Sequence, residues 1–105
     1  MITISIMYPK QADGRFDMNY YLEQHMPMSI KLLGSSMESI VVGKGISPGD
    51  PWPEASYHAI TTFTCRSKEE YEQAFLPNMA ELQADMPNYT DIPAIIQMSE
   101  IALSD

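Results

Sequence analysis

The chemistry this chain could do gathers around one imidazole. From Phe16 to Pro27 the sequence reads FDMNYYLEQHMP, placing Tyr20 and Tyr21 side by side, His25 one helical turn later and Pro27 just beyond. An imidazole ordinarily titrates near ~6.5, so close to neutrality it can take or give a proton. Buried and neutral, it must hydrogen-bond through both nitrogens or carry a penalty of ~1–3 kcal/mol per unmet group. Tyr21, at i−4, shares its helix face and is a partner of the right kind. Later, the run DMPNYT supplies Asp85, Asn88 and Tyr89. If the two helices run antiparallel, that end lies near the start of the first and can reach the Tyr20–His25 region. The expected site has His25 as the proton-transfer group, with Tyr8, Tyr20, Tyr21, Asp85 and Asn88 binding or orienting the substrate. The competing readings are plain: a core histidine with satisfied nitrogens, tyrosines at the core edge, and an Asn88 that serves only a C-terminal turn.

Other groups carry weaker signals. His58 lies on a strand pattern, but two histidines with no adjacent carboxylate motif and no i, i+4 His spacing do not make a metal site. No metal or bound cofactor is expected. Cys65 stands alone, which excludes an internal disulfide and reads as a small buried residue at a strand end rather than a nucleophile. Gly43 and Gly45 flank Lys44 without forming a phosphate loop, and no nucleophile elbow occurs. Trp52, in Pro51-Trp52-Pro53, reads as a lid, an anchor on a partner subunit, or a loop aromatic docked on its own domain.

The positioning elements follow from periodicity. ITISIMY alternates from Ile2 to Tyr8 and predicts a strand. Asp17 is placed to N-cap a helix whose stripe runs through Met18, Tyr21 or Leu22, His25, Met28 and Leu32. Pro27 cannot serve the carbonyl of Glu23, so a kink or restart is expected just after His25, and Gly34 is expected to stop the helix. MESIVVGKGI and YHAITTFTC predict strands on either side of the proline-rich SPGDPWPEA loop. Ser67 and Glu70 form a capping box for a second helix, with Tyr71, Phe75, Met79, Leu82 and Met86 as its stripe, interrupted at Pro77. AIIQMSEIAL closes as a strand.

The order is βαββαβ. It predicts an α+β fold of ferredoxin-like type over a single domain, residues 1–105: a four-stranded antiparallel sheet with two helices on one face. The opposite sheet face is apolar or small rather than charged, a patch that monomers avoid exposing. A second copy packed against it across a two-fold axis, giving a homodimeric α/β barrel, is the expected cover.

Composition narrows the partners. Among the 105 residues, fourteen acidic against six basic residues give a net charge of −8. The cations are scattered, which argues against nucleic acid and against an anionic membrane surface. The N-terminal pattern is a strand rather than a signal peptide, and no segment approaches ~20 apolar residues, so a cytoplasmic protein is expected.

Tyr8-Pro9, Phe16-Asp17, Tyr20-Tyr21, His25, Pro27 and Gly34, with Tyr57 to Phe63, Ser67, Tyr71, Asp85 and Pro87-Asn88-Tyr89-Thr90, resemble the EthD family over nearly the whole chain. The chain departs from it at Ser35-Ser36-Met37 and in the Ser47–Glu54 loop. The resemblance implies a dimeric α+β barrel related to small cofactor-independent monooxygenases, cyclases, isomerases and decarboxylases. The expected function is proton-transfer chemistry, of oxidoreductase, monooxygenase or dehydratase type, on a hydrophobic, aromatic or polyketide-like metabolite. The alternative is a non-catalytic binding or carrier module built on the same barrel.

Overall fold

Residues 1–105 are described by a computed structural model. The four alternating segments are strands: β1 (Ile2–Pro9), β2 (Met37–Lys44), β3 (Tyr57–Cys65) and β4 (Ile95–Glu100). They pair antiparallel in the order β2-β3-β1-β4, with β1 and β3 at the centre. Two helical segments fill the crossovers, as the βαββαβ order requires. The first comprises α1 (Met18–Tyr20), a π-helix over Tyr21–His25 and α2 (Met26–Leu33). The second comprises α3 (Lys68–Phe75), a 3-10 turn at Leu76–Asn78 and α4 (Met79–Asp85).

Register divides the sheet into two unlike faces. Ile4 pairs with Phe63 and Tyr8 with Ala59, and these residues meet Tyr21, Met26, Leu33, Tyr71 and Leu82 of the helices in one buried cluster. On the other face, the rows Gly43–Ile60–Met7–Ile95, Val41–Thr62–Ser5–Gln97 and Ser39–Thr64–Thr3–Ser99 contain no charged side chain. Val41, Ile60 and Ile95 stand exposed there. The face away from the helices thus carries no charge in these rows, whereas a solvated sheet face ordinarily bears charged side chains among its polar ones. No helix is long and apolar enough to cross a membrane.

The helices depart from the expected pattern at identifiable places. Asp17 caps α1 by accepting from Tyr20 N–H, as its position predicts. The α-helix restarts at Met26, just after His25 as expected. What precedes the restart is a π-helical turn from Tyr21 to His25, in which Met26 N–H donates to the Tyr21 carbonyl five residues back. The wide turn shifts the helical phase, so Met26, Ser29 and Leu33 are the buried residues of α2, while Met28 and Leu32 lie at the margin. As expected, α2 ends at Leu33 with Gly34 as its C-cap, but without a left-handed turn. The Gly34 φ of −57° is helical, and the chain tightens into a 3-10 turn through Ser36, whose hydroxyl donates to the Leu33 carbonyl. Ser67 accepts from Glu70 N–H, but the Glu70 carboxylate turns to Arg66 instead of closing the box. The 3-10 turn at Pro77 rotates Met79 outward and brings Asn78 Nδ2 onto the Ala74 carbonyl. Trp52 is 68% exposed, so it does not dock on its own domain.

Candidate active site

The site is assembled where the chain before α1 meets the chain after α4. Phe16 and Thr90 form an isolated antiparallel bridge, and Asp17 N–H donates to the Tyr89 carbonyl. The Thr90 hydroxyl donates to the Arg15 carbonyl, and the Arg15 guanidinium donates to the Pro87 carbonyl. These ties hold Asp85, Asn88 and Tyr89 against the helix that carries Tyr20, Tyr21 and His25.

Asp85 is the junction. His25 Nδ1 lies 2.9 Å from Asp85 Oδ2, while the Tyr20 hydroxyl donates to Oδ1 at 2.7 Å and Asn88 Nδ2 donates to the same oxygen at 2.9 Å. Burial pushes the Asp85 carboxyl up, but the hydrogen bonds from Tyr20, Asn88 and His25 outweigh it and hold the group below the usual carboxylate range. The Tyr20 phenol is raised in turn, chiefly because it donates to that carboxylate. An ionised Asp85 accepts only, so it takes the Nδ1 proton of His25 and leaves Nε2 as the free nitrogen.

Nε2 faces buried phenols. The Tyr89 hydroxyl lies 3.5 Å from it and 2.8 Å from the Tyr8 hydroxyl. The Tyr89 ring packs on His25 with centroids 4.6 Å apart, the Tyr21 ring stacks on the imidazole at 5.6 Å, and the two phenol rings meet each other at 5.1 Å. Tyr21 does not hydrogen-bond His25 as its i−4 position suggests; its hydroxyl pairs with the Thr61 hydroxyl on β3. The π-turn explains the difference, since it stacks the two rings in place of aiming one at the other's nitrogen. Burial pushes the hydroxyls of Tyr8, Tyr21 and Tyr89 well above the ordinary phenol range, and Tyr71 up to about 12. These phenols therefore remain protonated near neutrality.

A cavity of about 90 Å³ separates the helices from the sheet, and His25, Tyr8, Tyr21 and Tyr89 form part of its wall. The rest is mainly apolar, with Phe63 and Phe75 among the rings and Met26 and Met86 as adaptable fillers. Ile96 also lines it while standing 64% exposed, which places an opening at the edge strand β4. Of the residues singled out in the sequence, His25, Tyr8 and Tyr21 reach this cavity, whereas Tyr20, Asp85 and Asn88 stand behind His25 and do not line it.

Thr61 escapes a reading by sequence, where it looks like an ordinary strand threonine. Tyr89 is placed near His25 by its run with Asp85 and Asn88, but nothing in the sequence sets it apart from them as the group that meets Nε2. His58 stacks on Phe16 with centroids 5.6 Å apart, and its buried Nε2 has no hydrogen-bond partner. Cys65 is fully buried, and burial raises its thiol. No group of three or more histidine, cysteine, aspartate or glutamate side chains is placed to share a metal ion.

Comparison with known proteins agrees with this architecture. The sequence profile of the EthD domain matches residues 12–93. The crystal structure of an EthD-like protein from Ralstonia eutropha is 35% identical over 99% of this chain and 94% of that one, with a TM-score of 0.89. An ethyl tert-butyl ether (ethd) family protein from Bacillus halodurans shares the fold at 14% identity, covering 95% of this chain and 97% of that one, with a TM-score of 0.64. A protein from Arabidopsis thaliana shares it at 14% identity, covering 100% of this chain and 99% of that one, with a TM-score of 0.69. No curated protein matches the sequence.

Proposed function

This chain belongs to the EthD family, and from that premise we propose that it is a small enzyme that moves protons on a hydrophobic metabolite of aromatic or polyketide-like type. His25 is the proton-transfer group, acting through Nε2. Asp85 fixes the tautomer and balances the charge when the imidazole becomes imidazolium, and Tyr20 and Asn88 hold Asp85 in place. The observation that carries this reading is the His25–Asp85 contact of 2.9 Å behind an Nε2 that opens on an apolar cavity. At Nε2 the only contact is stretched to 3.5 Å, so this nitrogen is held loosely and can meet a ligand in the cavity. Proton transfer of this kind needs no bound cofactor.

The cavity sets a size limit. An engineered cavity of ~150 Å³ takes one benzene, so a space of about 90 Å³ admits only the reacting end of a larger molecule. The remainder leaves past Ile96. We further propose that the uncharged outer sheet face is covered by a second copy, giving a face-to-face dimer that works in the cytoplasm. Sedimentation at micromolar concentration tests this: the wild type runs as a dimer and Ile60→Glu as a monomer, and a monomeric wild type removes the barrel.

The deciding experiment is a panel of quinones, lactones and anthrone-like phenols. One or more is converted by the wild type, and His25→Gln lowers the rate by ~10²-fold or more while keeping the fold. Unchanged turnover in folded His25→Gln would refute the role of His25. Binding of panel compounds without conversion points to the carrier reading, which the same cavity supports.

A further inference from the structure

On the reading that His25 moves a proton, we propose that Tyr89 is a second catalytic residue, which holds the negative oxygen formed in the reaction, and that the substrate is an apolar molecule whose reacting end is an enolisable carbonyl. The argument begins with the direction of the hydrogen bonds. Because Asp85 accepts from Nδ1–H, Nε2 of the neutral imidazole carries no proton, and a proton between Nε2 and Tyr89 then comes only from the phenol. With Tyr89 O–H aimed at Nε2, the 2.8 Å contact between hydroxyls is Tyr8 donating to Tyr89, which polarises the Tyr89 O–H further. At 3.5 Å the Tyr89–Nε2 contact is at the limit of a hydrogen bond and is readily surrendered to a better acceptor.

Burial keeps both phenols protonated, so they serve as donors and not as bases. A base and a neutral donor thus stand 3.5 Å apart on one apolar wall. Removing a proton beside a carbonyl needs this pairing: a nitrogen to receive the C–H proton and a preorganised O–H where charge develops on the neighbouring oxygen. In the step, the C–H bond breaks and its electron pair becomes the C=C bond of the enolate. The carbonyl pair moves to oxygen, which accepts from Tyr89 O–H, and the proton binds Nε2 to give an imidazolium beside the Asp85 carboxylate. Returning that proton to another carbon completes an isomerisation; delivering it to a hydroxyl one carbon further on expels water and completes a dehydration. Neither route requires an oxidant or reductant.

The test uses 2-tetralone in D2O, with loss of the protons beside its carbonyl followed by NMR. The wild type exchanges them faster than buffer, Tyr89→Phe loses about 10²-fold, Tyr8→Phe loses less, and His25→Gln returns to the buffer rate. A second readout is equilibrium binding of 2-naphthol, whose anion resembles the enolate: Tyr89→Phe, with its ring retained, weakens it at least about tenfold, the loss of one donor to a charged oxygen. Exchange by Tyr89→Phe at the wild-type rate, or no exchange by the wild type, overturns the inference. A wild type that converts a quinone yet exchanges no ketone proton overturns it while leaving proton transfer by His25 intact. Tetralone exchange that survives His25→Gln sinks both readings together.

Discussion

The two histidines occupy opposite situations in the same small domain. His25 is tied at one nitrogen to a carboxylate that is itself held by two further donors, and its other nitrogen faces a cavity. His58 lies flat on Phe16, and its buried Nε2 meets no partner. His25 is buried and His58 half-buried, but the larger difference lies in what surrounds each ring. A carboxylate at one nitrogen decides the tautomer, the orientation and the stability of the charged form, so the other nitrogen becomes a defined acceptor. Without such a partner, a buried imidazole contributes packing and carries an unmet polar atom. The contrast separates a working histidine from a packed one by environment, which residue type alone does not reveal.

Substitutions test this contrast directly. The largest expected effect is His25→Gln, which removes the proton acceptor outright. Next is Asp85→Asn, whose amide can present N–H as readily as C=O to Nδ1 and so loses control of the tautomer. A fall in turnover of about 10–10²-fold is expected, milder than the ~10⁴ seen when a buried catalytic-triad aspartate is replaced in the same way, because Asp85 is partly open to solvent. Steady-state kinetics with a compound found active in the panel checks both, and an Asp85→Asn rate equal to wild type would show that His25 needs no anchor.

Tyr20→Phe and Asn88→Ala come third, each removing one donor from Asp85. The sign follows from the lowered pKa of that carboxyl. Its contribution to stability is present above the ordinary carboxylate pKa of ~3.9 and is lost as pH falls through the lower folded value. Losing a donor moves the folded value back upward, so acid unfolding followed by circular dichroism shifts to higher pH in both variants, with turnover reduced only a few-fold. The smallest effect belongs to the other histidine. His58→Phe keeps a ring on Phe16 and removes the unpaired nitrogen, which raises stability by up to about 1 kcal/mol in denaturant titration and leaves turnover unchanged. A loss of activity there would erase the distinction drawn between the two.

Much of the fold is legible in the chain. Alternation in ITISIMY and YHAITTFTC, the caps at Asp17 and Ser67, and the βαββαβ order lead to the observed sheet and its topology. The phase of each helix after its proline is not legible. Pro27 and Pro77 announce a disturbance, but whether the chain answers with a wide π-turn or a tight 3-10 turn depends on what packs beneath it. That choice turned Met79 out and moved the buried stripe of α2 to Met26, Ser29 and Leu33. Gly34 marks where α2 ends but not how: glycine permits a left-handed cap, and here it keeps a helical conformation and leads into a 3-10 turn.

The sequence by itself determined the local elements, the acidic surface, the uncharged second sheet face and the presence of an imidazole on the protein-facing side of a helix. These depend on periodicity and residue chemistry, which are properties of neighbours in the chain. Only the tertiary structure decided that Asp85 would fix Nδ1, that Tyr89 would stand before Nε2, and that Tyr21 would stack and bond to Thr61. The hydrogen bonds among them join segments forty or more positions apart. They exist because the Phe16–Thr90 bridge and the antiparallel helices close the ends of the fold onto each other, a geometry that no local pattern encodes.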